Sequence, residues 1–185
     1  MAVVHVAAAV IVDAQGRVLI AKRPAEKHQG GLWEFPGGKL EADEPVRDGL
    51  SRELHEELGI EVESARRLIR VYHHYPDKSV LLDVWRVDGF SGQAHGREGQ
   101  PIEWVAPEAL SNYDFPEANQ PIVMAAQLPD CYLVTPSPEN PDTFLAQLDL
   151  VLDQGLRLIQ FRAKGMAESD YKALAIKVRQ RCHAK

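Results

Sequence analysis

Between Pro45 and Gly59 the chain carries a pattern that a helix satisfies and a strand does not. Val46, Leu50, Leu54 and Leu58 recur every fourth residue. Gly59 is a helix stop and Pro45 suits a first-turn position. Glu53, Glu56 and Glu57 stand at i, i+3 and i+4, so they share one face of that helix. At about 100° per residue, Glu53 and Glu57 fall close beside the apolar stripe and aim at the interior edge. Like charges at this spacing cost roughly 0.2–0.5 kcal/mol per pair on an exposed helix. Partial burial raises both that cost and the carboxyl pKa values. A hard divalent cation removes the conflict, because Mg²⁺ takes oxygen ligands and binds alongside substrate phosphates. Arg52 can orient a carboxylate through its hydrogen bonds. Taken alone, three glutamates are also what a solvated acidic helix face looks like.

The rest of the chain supplies a core for such a helix. The run Val3–Val12 reads as a buried strand, since it has no basic leader and is too short to span a bilayer. It ends at the turn sequence Asp13-Ala14-Gln15-Gly16. Arg17–Lys22 then alternates as a second strand, and the two are expected to form a hairpin. Pro24–Pro36 reads as a loop, and Val62–Tyr75 and Ser79–Val87 as paired strands around Pro76-Asp77-Lys78. Gly89–Gly99 reads as a glycine-rich connection, Ile102–Val105 as a short strand, and Ala106–Leu110 and Gln120–Leu128 as short helices. Strands and helices in this mixed order predict an α+β sandwich rather than a doubly wound sheet. A formal net charge of −6 argues against a polymeric nucleic acid partner but not against a small phosphorylated substrate. Two cysteines, Cys131 and Cys182, make no disulfide framework or metal spacing, and a reducing cytoplasm is the simplest reading. No long apolar run implies a membrane role, and the oligomeric state stays open.

The full spacing removes the ambiguity of the acidic face. Gly38, Glu44, Arg52, Glu53, Leu54, Glu56, Glu57, Gly59 and Ile60 meet every fixed position of the Nudix box. Residues 1–128 resemble the MutT-type enzymes of that family, which hydrolyse oxidised guanine nucleotides such as 8-oxo-dGTP. The matching pieces are Lys22-Arg23, His28, Glu34-Phe35-Pro36-Gly37-Gly38-Lys39, Glu98-Gly99-Gln100-Pro101, Asp114-Phe115-Pro116 and Ala118-Asn119. The resemblance implies a Nudix α/β/α sandwich with a mixed sheet and the box as loop-helix-loop. It implies an Mg²⁺-dependent hydrolase of phosphorus anhydrides, with Mn²⁺ as a substitute, in which water attacks the β-phosphorus of a nucleoside triphosphate. The products are a nucleoside monophosphate and pyrophosphate, and the role is nucleotide-pool sanitation and mutation avoidance.

By the same resemblance Glu53 is the general base, Glu56 and Glu57 are metal ligands, and a backbone carbonyl at Gly37 or Gly38 joins them. Glu53 and Glu98 also belong to the expected metal set. Glu98 adds a ligand or a second base, and its roles and those of Glu53 are open to exchange. Arg52 is grouped with the catalytic residues as the side chain that holds the glutamates in place. Glu44 precedes the helix and is an outer-sphere or structural residue. Arg23, His28, Glu34, Phe35, Pro36, Gly37 and Asn119 are the expected nucleotide contacts. Oxidation of guanine at carbon 8 puts a hydrogen on N7, beside the O6 acceptor. The donor and acceptor of an asparagine amide match that edge. A flipped amide suits an adenine edge, so Asn119 alone does not name the base, and an asparagine in front of a helix is commonly a cap.

Beyond Leu128-Pro129-Asp130 the pattern changes to β-α-β-α. Tyr132-Leu133-Val134-Thr135-Pro136 and Gln160-Phe161-Arg162-Ala163-Lys164 resemble the first two strands of a thiamine-phosphate synthase barrel. Residues 129–185 are therefore expected to be an incomplete fragment of a TIM-type barrel. A barrel of that kind takes roughly 200 residues or more, which points to a piece of a longer fused chain. Two rival functions follow: a Nudix pyrophosphatase acting on thiamine-related diphosphates, and a nucleotide-binding module without turnover.

Overall fold

The apolar opening becomes strand β1 (Val3–Ile11), and burial on both of its faces explains its unbroken hydrophobicity. Ala7, Ala9 and Ile11 face one core, where Leu50, Leu54, Leu58 and Ile60 pack. Ala8 and Val10 face the other, with Ile122, Val123 and Ala126. The computed structural model describes residues 3–25 and 29–185. These fall into two compact units, 1–127 and 128–185.

In the first unit β1 is followed by β2 (Val18–Lys22), β3 (Trp33–Glu34), β4 (Gly37–Lys39) and α1 (Val46–Leu58). Then come the long strands β5 (Glu61–His74) and β6 (Ser79–Ser91), β7 (Ile102–Val105), 3₁₀ turns at Pro107–Asn112 and Glu117–Asn119, and α2 (Gln120–Gln127). A mixed four-stranded sheet runs β4-β1-β6-β5, with β1 and β6 parallel, and a second sheet runs β3-β2-β7. With α1 packed in the core on one side of the sheet and α2 in the core on the other, the expected α+β sandwich with a mixed sheet is the architecture observed.

The expected β1–β2 hairpin does not zip up. The turn at Asp13 is tight, with Arg17 N–H and Gln15 N–H donating to its carboxylate. Among the described residues the two strands meet at the bridge Val12–Val18, beside the turn bond from Asp13 N–H to Arg17 O, and then diverge into different sheets. Both strands are apolar on both faces, and Val18, Leu19 and Ile20 are as fully buried as residues 7–11 of β1. Each therefore needs neighbours on two sides. The glycine-rich stretch also begins later than expected, because β6 continues to Ser91 against Glu61 of β5.

The second unit contains β8 (Tyr132–Val134), α3 (Pro141–Asp153), β9 (Leu158–Gln160) and α4 (Glu168–His183). β8 and β9 pair in parallel. Asn140 caps α3 by accepting from Asp142 N–H and Thr143 N–H. Phe144, Leu145, Leu148, Leu152, Leu174 and Val178 close its core. No helix of the described residues is long and apolar enough to cross a membrane.

Candidate active site

Helix α1 delivers the carboxylates, and its ends show why it stops where it does. Pro45 precedes the first turn, and Gly59 ends the helix at φ +70°, a left-handed conformation that glycine adopts without a Cβ penalty. Leu50, Leu54 and Leu58 are fully buried. That anchors the helix in rotation and points Glu53 and Glu57 at a cavity of about 380 Å³. The cavity is lined by Glu34, Glu53, Glu57 and Glu98, by Arg23, Lys39 and Lys78, and by Gly37 and Gly38. Its apolar floor comes from the parallel pairing of β1 with β6, which sets Val4 beside Val80 and Val6 beside Leu82. Tyr75, Pro116, Ala118 and Asn119 complete the wall.

Each carboxylate has a distinct setting. Glu57 accepts from Gly37 N–H at 3.1 Å. Its burial, reinforced by the charges of Glu34, Glu53 and Glu98, pushes its carboxyl up to about 7. Glu53 lies against Gly38 so closely that a Cβ there would sit 2.1 Å from its carboxyl carbon. Glu56 turns away: its side chain is 57% exposed, it bonds Arg52 at 3.3 Å, and it does not line the cavity. The helix turn carries its side chain to the solvent edge of the cavity. Arg52 is likewise off the cavity wall. Its guanidinium grips Glu44 with two bonds of 2.9 Å and donates to Glu53 at 2.9 Å and to Lys39 O at 3.2 Å. These bonds tie Arg52 to the glutamates and to the β4 backbone rather than to the cavity. Glu44 also accepts from Glu41 N–H, and these bonds hold its carboxyl near 2.

The expected nucleotide contacts divide in the same way. Arg23 and Glu34 pair with each other on the wall. Phe35 also lines the cavity, although it is largely buried, and stacks on Phe115 with centroids 5.3 Å apart. Pro36 is not on the wall, since its carbonyl is used by Ala9 N–H at 2.8 Å in the sheet. Asn119 ends a 3₁₀ turn, no side-chain cap bond from it to α2 is formed among the described residues, and it lines the cavity. His28 lies outside the described residues. The aliphatic floor and Lys39 were not among the expected contacts. The alternation of Val4 and Val6 on one face of the first strand is the signal that could have found the floor.

The donors are all hard oxygens, which fits Mg²⁺ or Mn²⁺. Burial, with the neighbouring carboxylates adding to it, raises the Glu57 carboxyl, and a bound cation would relieve that charge crowding. Among the described residues, no three His, Cys, Asp or Glu side chains already converge closely enough to enclose an ion. Glu53, Glu57 and Glu98, with the carbonyls of Gly37 and Gly38, are the groups that would hold one.

Gly38 provides a direct check on this geometry. Gly38→Ala is expected to lower kcat by more than about tenfold, a barrier change of ~1.4 kcal/mol, because Glu53 must move aside. Steady-state rates compared with thermal unfolding would show it, and a fully active Gly38→Ala variant would mean that the placement of Glu53 is unimportant.

A carboxylate-lined cavity between a helix and a mixed sheet, flanked by cations, is a setting suited to hydrolysis of phosphate anhydrides. The NUDIX domain family model matches residues 7–125, and the chain belongs to the Nudix family. It is 38% identical over 125 residues to the CTP pyrophosphohydrolase of Escherichia coli K12, covering 68% of this chain and 92% of that protein. It is 34% identical over 119 residues to the 8-oxo-dGTP diphosphatase of the same strain, covering 64% and 92%. A solved MutT structure, from work on Aliivibrio salmonicida and Vibrio cholerae, superposes with a TM-score of 0.61 at 40% identity, covering 68% of this chain and 98% of that one. The protein is accordingly a hydrolase acting on phosphorus anhydrides.

Proposed function

We propose that the chain hydrolyses 8-oxo-dGTP to 8-oxo-dGMP and pyrophosphate with Mg²⁺, clearing an oxidised precursor before it enters DNA. The observation that carries this reading is Asn119, whose side-chain amide stands on the cavity wall without a protein hydrogen-bond partner among the described residues. It can accept from N7–H and donate to O6 of the oxidised base. Ordinary guanine leaves one of these groups unsatisfied, at about 1–3 kcal/mol, so this contact alone supplies roughly tenfold or more discrimination. Val4, Val6, Val80 and Leu82 offer the base an apolar bed.

In the reaction, water attacks the β-phosphorus, the bond from that phosphorus to the α–β bridging oxygen breaks, and pyrophosphate carries away the water oxygen. Glu53 takes the proton of the attacking water, and Arg52, bonded to one of its oxygens, keeps the other turned to the cavity. Glu98 faces the same space and serves as a ligand or second base. Arg23, Lys39 and Lys78 balance the phosphate charge. When bound at Glu53, Glu57 and Glu98, with Glu56 at their solvent side, a divalent cation polarises the phosphoryl oxygens and acidifies the water.

A second reading comes from the 38% identity to a CTP pyrophosphohydrolase. The amide of Asn119 also fits a cytosine edge, accepting from its N4–H₂ donor. For the second unit, the parallel β8–β9 pair crossed over by α3 supports the reading of a thiamine-phosphate synthase-like fragment of a TIM-type barrel.

The deciding experiment measures pyrophosphate and phosphate release with Mg²⁺ from 8-oxo-dGTP, dGTP, CTP, ADP-ribose and thiamine diphosphate. We expect kcat/KM for 8-oxo-dGTP to exceed that for dGTP by more than about tenfold, and Asn119→Ala to abolish most of that margin. Equal rates on 8-oxo-dGTP and dGTP would sink the sanitising role. Preference for CTP would move the assignment to the second reading, and preference for thiamine diphosphate to a thiamine-related role. No turnover of any substrate would leave a binding module.

A further inference from the structure

We propose that Gln100 is a positioning residue that ties Glu98 to helix α1 and so keeps Glu57 and Glu98 in one frame. Its side-chain amide spans two backbone groups. Nε2 donates to Glu57 O at 3.1 Å, and Oε1 accepts from Glu98 N–H at 2.9 Å. A backbone carbonyl can only accept and a backbone N–H can only donate, so the bridge needs one donor and one acceptor on a single side chain. The orientation of the amide is fixed by the same fact. One small group thus joins the main chain of a helix carboxylate to that of a loop carboxylate, and both line the cavity.

The surroundings show that this loop is docked rather than merely adjacent. The last turn of α1 leaves carbonyls without helical partners, and the loop satisfies them. His95 N–H donates to Leu58 O at 3.1 Å, and Arg97 N–H donates to Glu57 O at 2.9 Å. The Arg97 guanidinium donates to His55 O at 2.9 Å and places a cation at the negative end of the helix dipole. Gly96 lets the loop close, since a Cβ there would stand 1.9 Å from Gln100 O. Glu98 is on an exposed loop, and fixing its backbone from both sides narrows the positions its carboxylate can take.

This inference rests on Glu98 taking part in the reaction, so its test separates the two ideas. The measurement is kcat and KM, with Mg²⁺, on whichever of 8-oxo-dGTP, dGTP and CTP the wild type turns over fastest. The variants are Gln100→Met, Glu98→Gln and the double substitution. Met keeps the bulk of glutamine and removes both hydrogen bonds. Gln100→Met is expected to lower kcat by about tenfold with KM unchanged within about twofold, and to cost less than about twofold more in the Glu98→Gln background, because coupled residues are not additive. Gln100→Ala carries the same expectation, so a Met variant that does not fold leaves the cycle measurable. Full additivity of the two losses, or a KM change in place of a kcat change, would overturn the positioning role while leaving Glu98 catalytic. A fully active Glu98→Gln variant would remove the premise and the inference together.

Discussion

Glu53→Gln is expected to lower kcat by roughly 10²–10⁴-fold, the range a lost general base usually costs. The fold should survive, because the substitution keeps the shape of a side chain whose backbone sits on a helix anchored by Leu50, Leu54 and Leu58. Gln can still accept from Arg52, so the Glu44–Arg52 pair stays in place. It cannot take a proton from water at neutral pH. The loss should therefore appear in kcat and kcat/KM together, with little change in thermal midpoint. Single-turnover rates at saturating substrate are the cleanest measurement. A fully active variant would transfer the base role to Glu98, and the same assay on Glu98→Gln would then show the larger loss.

Metal-free protein is expected to lose stability as pH rises, and Glu57→Gln is expected to remove most of that loss. The Glu57 carboxyl is pushed from an ordinary 4.5 up to about 7, first by burial and then by Glu34, Glu53 and Glu98, against the opposing bond from Gly37 N–H. A raised carboxyl pKa means that the folded chain holds its proton longer than the unfolded chain. Below pH 4.5 both states are protonated and Glu57 contributes nothing. Between about 4.5 and 7 the unfolded state ionises first, so folding stability falls, and above 7 the deficit levels off. The full difference corresponds to about 3 kcal/mol as an upper figure. Mg²⁺ should restore stability, by ~2.7 kcal/mol at a concentration a hundred times its Kd. Chemical denaturation at pH 5 and pH 8, with chelator and with Mg²⁺, measures both effects. If wild type and Glu57→Gln follow one pH curve without metal, the crowding of carboxylates is not a cost the fold bears.

Much of this was legible before any coordinates. Helix α1 could be read to within a residue, because a four-residue recurrence and a terminal glycine are local signals. The proximity of Glu53 and Glu57 to the interior follows from the same period. The strand character of residues 3–11 was equally plain. What that strand would pair with was not. The turn at Asp13 suggested a hairpin, but strands buried on both faces recruit neighbours from β4, β6 and β7, whose positions in the chain carry no trace of the pairing.

The site divides along the same line. Sequence alone determined that this chain would carry a helix with a cluster of carboxylates at its buried edge, because covalent spacing on a regular helix sets which side chains share a face. Tertiary structure alone decided how those carboxylates are used. It sends Glu56 to solvent and Glu57 into the cavity, gathers Glu44 and Glu53 around one guanidinium, and fastens Glu98 to the helix through an amide 43 residues along the chain from the carbonyl it binds. Such contacts depend on where distant segments meet in space. A hydrogen bond across that separation leaves no periodic mark in the sequence, since only the folded core brings its two ends together.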